Sequence, residues 1–381
     1  MPQMATCNDI YQLLPQDVII EILSRLPVKS LLRARVVCKN WYTIIKNPSF
    51  VTKHFNHTNN SGRLFVNRFD KTSQKFVFSL FPDQTLAGSP PVYQDVAADV
   101  LHYLWVGACN GILCLCNRNN WKHFALWNPA TREFKSLPVF PRSFPPNVAS
   151  SQETFGFGFD PITNDYKVVW IWNTLDDVME MRYGPYQVAV YTLSTDSWRY
   201  LDVALPYSSI ATPRSNTCIN GVYHWFAIHD DGHPVILSFD MGIELFHEIR
   251  DIPSSKPPVL VSYNNSLALM YYDRGPVNIW VMKEERGWSK RFSVELPSAV
   301  RLPFGFWKNG QLITEIGDSH VVLYDPETRE IKHLGSPIWA DCLVYRESLF
   351  TIKGGDGFLE NDQSSDVDQI INFSKTQFSP T

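Results

Sequence analysis

Two distant stretches of the chain are nearly the same: "LWNPATREFKSLP" at 126–138 and "LYDPETREIKHLG" at 323–335. In each, an aromatic residue (Trp127, Tyr324) precedes Asn128-Pro129 or Asp325-Pro326. Asn or Asp followed by Pro opens a type I turn, because the pyrrolidine ring fixes φ at the turn's second position. Thr131-Arg132 and Thr328-Arg329 then lead into a return strand, and weaker copies lie at 190–202, 237–249 and 279–294. A lone hairpin cannot bury its own apolar face, so repeated hairpins must stack on one another.

A second strand pair precedes each copy, often turning at Asn-Gly or a near equivalent. Examples are "CNGILCLCN" at 109–117, "CINGVYHWFAI" at 218–228, "VSYNNSLALMYY" at 261–272 and "FWKNGQLITEI" at 306–316. Asn-Gly between apolar runs is a strong hairpin signal, because a tight turn there needs positive φ. The pair before the 190–202 copy is "FGFGFDPITNDYKVVWIW" at 155–172. Four strands in roughly 40–50 residues make one propeller blade. Such units fall at 105–138, 155–203, 215–253, 259–297 and 303–336. "DCLVYRESLFTI" at 341–352 reads as an inner strand pair and "RLFVNRFDKTSQKFVFSL" at 63–80 as an outer one. Together they predict a sixth blade closed by strands from both ends, which removes exposed sheet edges. The expected fold is α+β multidomain: a small three-helix head, then a mainly-β propeller of about six four-stranded blades. A pair of β-sandwiches is the competing arrangement. The chain has no Trp-Asp pair, against a WD40 propeller, and Gly354-Gly355 is its one Gly-Gly, against a kelch propeller.

The 12 Trp, 16 Tyr, 24 Phe and 26 Pro suit strands and turns. Cys7, Cys38, Cys109, Cys114, Cys116, Cys218 and Cys342 form no Cys-x-x-Cys pair. No signal-like leader precedes Asn8, and no apolar run reaches the roughly 18 residues of a membrane helix. Reduced thiols in the cytoplasm, and also the nucleus, are therefore expected. The sequons at Asn56, Asn59, Asn264 and Asn372 are then idle.

The head differs in pattern: "LPQDVIIEILSRLPVKSLLRARVVCKNWYTII" at 14–45. Pro15 suits a first helical turn and Pro27 ends that helix. Val18, Ile22 and Leu26 recur every four residues, and Ile19 and Leu23 widen the stripe. Pro27 opens a second helix with Leu31 and Leu32, and a third places Val37, Trp41 and Ile44/Ile45 on one face. Asn47-Pro48 stops it, and Ser49-Phe50 begins a further turn or helix through His54. About forty residues are marginal as an isolated fold. The stripes dock either on the C-terminal domain or on another protein. Residues 1–61 carry a net +4 and residues 354–381 a net −4. A basic head made of apolar helices suits an acidic protein partner better than nucleic acid or a membrane.

Leu14-Pro15, "EILSRLPVKSLLRARVVCKNWYTII" and "NPSF" closely resemble the F-box of plant F-box proteins, from Leu14 to about His54. The resemblance implies that Leu14, Pro15, Ile19, Ile22, Leu23, Leu26, Pro27, Leu31, Leu32, Val36, Val37 and Trp41 are shared between the motif's small core and an acidic Skp1-type adaptor. The body resembles the F-box-associated domain through "GACNGILCLCN", "LWNPATREFKSLP", "GFGFDPITNDYKVV", "VAVYTLSTDSWR", "GVYHWFA", "ILSFDMGIELFHEI" and "IWVMKE", covering most of 107–283. The layout looks most like the S-locus F-box and S-locus-F-box-like proteins, which recognise pistil S-ribonucleases in self-incompatibility. These resemblances imply an F-box at 8–56 and a target-binding propeller at 62–353; the tail at 354–381 is acidic and low in hydrophobicity, so disorder is expected there.

Enzyme motifs are missing: no Walker loop, G-x-G-x-x-G, G-x-S-x-G or H-E-x-x-H occurs. "HDDGH" (His229, Asp230, Asp231, His233) could ligate a metal, but Asp231-Gly232 reads more simply as a hairpin tip. Cys114 and Cys116 share one strand face and read as core, and His224 beside Trp225 lacks an acid or nucleophile partner. No catalytic group, cofactor or metal is expected. Propeller ligands sit on rim loops, and three connections are long: 82–103, 139–153 and 173–185. Arg142, Phe144, Met181, Arg182 and Tyr183 there are residue types that anchor interfaces. The expected role is the non-catalytic substrate-recognition subunit of a Skp1–cullin–F-box ubiquitin ligase. Its partners are then a Skp1-like adaptor, cullin-1 and a RING protein through that adaptor, and a protein target such as an S-ribonuclease. The rivals are an adaptor-bound scaffold or inhibitor outside the ligase, and a propeller enzyme or small-ligand binder.

Overall fold

The computed structural model describes residues 14–57, 62–70, 75–81, 103–117, 123–140, 152–177, 182–272, 275–283, 287–301, 303–317, 320–334 and 338–352. The head holds four helices, α1 (Gln16–Ser24), α2 (Val28–Ala34), α3 (Lys39–Lys46) and α4 (Pro48–His57). Pro15 and Pro27 stand at the N-caps of α1 and α2. The segment after Asn47 is a full helix rather than a turn; the Asn47 Oδ1 accepts the Ser49 backbone N–H and hydroxyl at its start. Ile19, Leu23, Val28, Leu31, Ile44, Ile45, Phe50 and Val51 form one buried cluster.

Five sheets of four strands each follow. The second blade comprises β3 (Tyr103–Cys109), β4 (Ile112–Asn117), β5 (Phe124–Asn128) and β6 (Glu133–Ser136), after β1 (Arg63–Asp70) and β2 (Lys75–Phe81) of the first. The third comprises β7 (Glu153–Asp160), β8 (Asp165–Trp172), β11 (Gln187–Thr192) and β12 (Ser197–Leu201), with a small hairpin of β9 (Leu175–Asp177) and β10 (Arg182–Tyr183) beside it. The fourth holds β13 (Tyr207–Ala211), β14 (Val222–His229), β15 (Pro234–Asp240) and β16 (Phe246–Ile249). The fifth holds β17 (Val259–Tyr263), β18 (Ser266–Tyr271), β19 (Val277–Met282) and β20 (Trp288–Val294). The sixth holds β21 (Gly305–Phe306), β22 (Leu312–Ile316), β23 (His320–Tyr324) and β24 (Ile331–His333). The last strand, β25 (Ile338–Tyr345), returns to pair antiparallel with β1, placing Phe65 opposite Leu343. The molecule is thus a helical head on a six-bladed propeller closed by strands from both ends.

The repeated turn has one physical form. Asn128, Asp160, Asp240 and Asp325 each accept the backbone N–H groups two and three residues ahead through Oδ1. The residue four ahead then takes positive φ: 62° at Arg132, 58° at Asn164, 56° at Glu244 and 60° at Arg329. A short side-chain acceptor closes each turn locally, as Asx residues do. Asn110-Gly111, Asn220-Gly221 and Asn264-Asn265 have positive φ at both central positions, as type I′ turns require. Asn309-Gly310 instead lies in a 3₁₀ turn, Lys308–Gly310.

Two expectations of the strand plan are corrected. Residues 341–352 supply one strand, not a pair, and the described sheet there has the order β2-β1-β25. The stretch 346–352 leaves the sheet because its side chains pack elsewhere: Leu349 joins the head's core, and Ile352 joins the core between blades two and three. The fourth blade begins at Tyr207 rather than near 215, with β13 as its first strand. Its next stretch, "TPRSNTC" at 212–218, spans the middle of the ring. Thr212 donates to the Glu153 carbonyl, Ser215 to the Leu260 carbonyl and Asn216 to the Ala108 carbonyl, while Arg214 pairs with Glu315. One segment therefore touches four other blades. The glycines of "GFGFD" serve close packing: a Cβ on Gly156 would stand 2.7 Å from the Trp225 ring.

Candidate functional site

The head's apolar stripe is split. Ile19, Leu23 and Leu31 face its own core, and Leu26, Leu32 and Trp41 are half-buried against that core. Leu14, Val18, Ile22, Val36 and Val37 stay exposed, Val36 at 78% and Val37 at 57%; Pro15 and Pro27 are exposed as well. The twelve residues expected to be shared between core and adaptor thus sort into an inner set that builds the head and an outer set left in solvent. Glu21 sits between Lys53 and Arg25 at 2.7 Å from each, and their hydrogen bonds lower its carboxyl to about 2. Lys29, Arg33 and Lys39 remain exposed on the helices, in keeping with a basic surface.

The head is fixed to the propeller by residues 346–352. The Arg346 guanidinium lies 4.2 Å over the Phe55 ring, and Phe350 meets the same ring edge-on with centroids 5.7 Å apart. Arg63 pairs with Glu347 at 2.9 Å. Asn128 is fully buried and donates through Nδ2 to the carbonyls of Phe350 (2.7 Å) and Ser348 (3.3 Å). Glu133 accepts the Ile352 N–H at 2.8 Å. This explains why the second blade carries Asn where the other three turns carry Asp: a carboxylate has no N–H to give to two carbonyl oxygens.

These contacts identify the face that meets the head. Strands alternate in direction, so the β3–β4 and β5–β6 turns share that face. The β6–β7 and β8–β11 connections emerge on the opposite one. There the described ends of both connections are tied together. Gln152 and Asn173 exchange hydrogen bonds at 3.1 and 3.2 Å, and the Tyr186 hydroxyl donates to the Gln152 side chain at 2.7 Å. Phe140 is buried against Trp172 and Tyr200, at ring centroid distances of 5.8 and 4.8 Å. The Trp198 indole donates to the Pro138 carbonyl. Val139 and Tyr200 are exposed at 50% and 57% beside this cluster.

Of the five residues expected to touch a target, Arg142, Phe144 and Met181 lie outside the described residues. Arg182 and Tyr183 lie in β10, which pairs with β9, so the 173–185 connection carries a hairpin rather than being structureless throughout. The 82–102 stretch and the tail beyond 352 also lie outside the described residues. Phe140 and Tyr200 were not singled out from sequence. Their partners are distant in the chain, and only the aromatic density of "VFPRSF" hinted at them.

The other candidates are structural. Asp231 caps the 230–233 turn by accepting the His233 N–H, with Gly232 at φ 86°. No group of three or more possible metal ligands occurs among the described residues. Cys114 and Cys116 are buried core thiols, and burial pushes both thiols up. Cys109, Cys218 and Cys342 are also thiols, whereas Cys38 is disulfide-bonded, against the expectation of reduced cysteines. No described helix is long and apolar enough to cross a membrane.

Comparison with known proteins adds two family matches. Residues 12–53 match the F-box domain, and residues 63–335 match the F-box associated beta propeller domain. Among curated relatives, the F-box protein At5g18160 of Arabidopsis thaliana is 30% identical over 84% of this chain and 81% of its own length. The F-box protein CPR1 of the same plant is 25% identical over 84% of each. Among solved structures, TolB from Acinetobacter baumannii aligns over 81% of this chain and 73% of its own at a TM-score of 0.43 and 10% identity. The nidogen/laminin complex aligns over 75% and 99% at 0.44 and 11%.

Proposed function

The chain belongs to the plant F-box proteins that carry an F-box associated beta propeller domain, and from that premise we propose that it is the substrate-recognition subunit of a Skp1–cullin–F-box ubiquitin ligase. The outer apolar set of the head (Leu14, Val18, Ile22, Val36, Val37) meets a Skp1-type adaptor, which brings cullin-1 and a RING protein. The propeller presents a protein target for ubiquitination. One observation carries this reading: the exposed apolar head and the tied loop bases around Phe140 lie on opposite sides of one body, joined by 346–352. Such a body performs no bond chemistry. It holds a target at a fixed span from the ubiquitin-loaded enzyme, so its contribution is proximity.

The target surface in this proposal is the face around Val139, Phe140 and Tyr200, together with the connections that start there. Exposed aromatic and aliphatic side chains over a rigid aromatic base are what interface anchors need. An S-ribonuclease is the target named by the sequence resemblance to S-locus F-box proteins, and the complex works in the cytoplasm and nucleus. Co-purification from plant cells tests the proposal. Adaptor and cullin must co-purify with the full chain, and captured proteins must accumulate when the proteasome is blocked. Recovery of adaptor without cullin would instead establish a scaffold or inhibitor. Binding of an S-ribonuclease to the full chain, lost in Tyr200→Ala, tests the named target.

A further inference from the structure

A cleft of about 930 Å³ opens between the fourth and fifth blades. It lies apart from the head and from the Phe140 cluster. Its floor is a row of cross-strand neighbours: His224 on β14 pairs with Ser238 on β15, which pairs with His247 on β16. Directly paired residues project from the same sheet face, with Cβ atoms about 4.5–5.5 Å apart. Val222 and Leu267 contribute apolar wall, and Asn264 and Asn265 line the same cleft.

Two of these groups are polar and buried. Ser238 is 4% exposed, and its Oγ is buried with no hydrogen-bond partner. A buried hydroxyl left unpaired is costly and uncommon in folded chains. His224 is also buried, and its Nδ1 lies 2.9 Å from the Thr217 carbonyl. A carbonyl only accepts, so Nδ1 carries the proton and Nε2 keeps its lone pair. Burial lowers the imidazole's proton affinity, which keeps the ring neutral. One acceptor and one hydroxyl donor therefore stand side by side on the sheet face that lines the cleft. Nearby Arg250 is engaged with Glu248 at 2.7 Å rather than offered to an anion.

We propose that this cleft binds a primary carboxamide, whose N–H donates to His224 Nε2 and whose oxygen accepts from the Ser238 hydroxyl. A carboxamide carries a donor and an acceptor on one carbon and no charge, matching a neutral acceptor–donor floor. A carboxylate offers no N–H to His224, and an ammonium offers no acceptor to Ser238. The carboxamide belongs either to a free small molecule or to an Asn or Gln side chain of a bound peptide. This site is independent of the ligase role proposed above.

The test uses the full chain with histidine labelled with ¹³C at Cε1, followed by NMR. The His224 signal is assigned by its loss in His224→Gln. The probes are N-acetylglutamine N′-methylamide, its glutamate and norvaline counterparts, and a heptapeptide with a central Gln and a methylamide end. The glutamine probe or the peptide should shift the His224 signal, and Ser238→Ala should weaken that binding at least tenfold without lowering the melting temperature. A shift with the small probe assigns the cleft to a free amide, and a shift with the peptide alone assigns it to a protein side chain. No shift with either, an equal shift with the glutamate or norvaline probe, or unchanged binding by Ser238→Ala overturns the proposal.

Discussion

The Phe55 ring in the last helix of the head stands edge-on to the Phe350 ring near the chain's far end, with centroids 5.7 Å apart and planes at 78°. Arg346 covers the same Phe55 ring. The head is thereby set in a fixed orientation on the propeller. Phe350→Ala removes an aromatic pair worth about 0.5–1.5 kcal/mol, plus the apolar area the ring covers. The expected outcome is a loss of about 1–3 kcal/mol in denaturant unfolding. Limited proteolysis should then cut first between residues 57 and 63. Unaltered proteolysis would show that the head is held by other contacts.

Asn128→Asp should cost more than its size suggests. The substitution is isosteric, but it replaces an N–H donor with an anion facing the Phe350 and Ser348 carbonyls. A buried, unpaired charge among acceptors costs about 3 kcal/mol or more. The reverse exchange, Asp325→Asn, keeps the Oδ1 that accepts from Glu327 and Thr328 and loses only the Oδ2 that accepts from Gln311, so it should cost about 1 kcal/mol. Thermal unfolding of the two variants side by side checks the contrast.

Adaptor binding should separate from head stability. Ile22→Asp with Val37→Asp places charges at exposed positions and should abolish adaptor pull-down while leaving the melting temperature within a few degrees of the parent. Leu23→Asp puts a charge at a 2% exposed core position, so lost binding there would report an unfolded head. Circular dichroism alongside the pull-down distinguishes the two. Full adaptor binding by the surface pair would exclude that face.

Mild acid should loosen the chain through its buried histidines. His54 is buried, with Nε2 donating to the Leu26 carbonyl at 2.8 Å, and burial lowers its proton affinity; the same holds for His224. Both rings are neutral when folded and take up protons on unfolding once the pH falls below about 6.5. The stability they contribute is complete above that pH and is lost progressively below it, down to the folded values. The slope reaches at most about 1.4 kcal/mol per pH unit for each ring. Unfolding free energies at pH 7.5, 6.5 and 5.5 should show this decline, and His54→Gln, which cannot titrate, should remove the His54 share and leave that of His224.

Much of this architecture is legible in sequence because its turns are closed by local side-chain chemistry. Asn128, Asp160, Asp240 and Asp325 act on backbone groups two and three residues away, so the repeat that they mark survives in a linear reading. The blade plan fails where partners are remote. Leu349 and Phe350 look like strand residues until the head is folded against them, and 212–218 looks like a loop until four other blades receive its hydrogen bonds. The helix stripe has a deeper ambiguity. A 3.6-residue period shows that Ile19, Ile22 and Leu23 are apolar, but it cannot tell the two that fill the head from the one left in solvent. Phe140 escapes for the first reason, since Trp172 and Tyr200 give it meaning.

The pairing of β1 with β25 sets an order of events during synthesis. Phe65 leaves the ribosome early and waits for Leu343, and the head waits for Leu349 to complete its cluster. A message cut short before that codon yields helices with a hole in their packing and a ring that is still an open sheet. Such a fragment exposes unpaired edges and apolar surface, the features that mark a nascent chain for destruction. A finished head therefore requires a chain translated past its last strand, as far as Leu349.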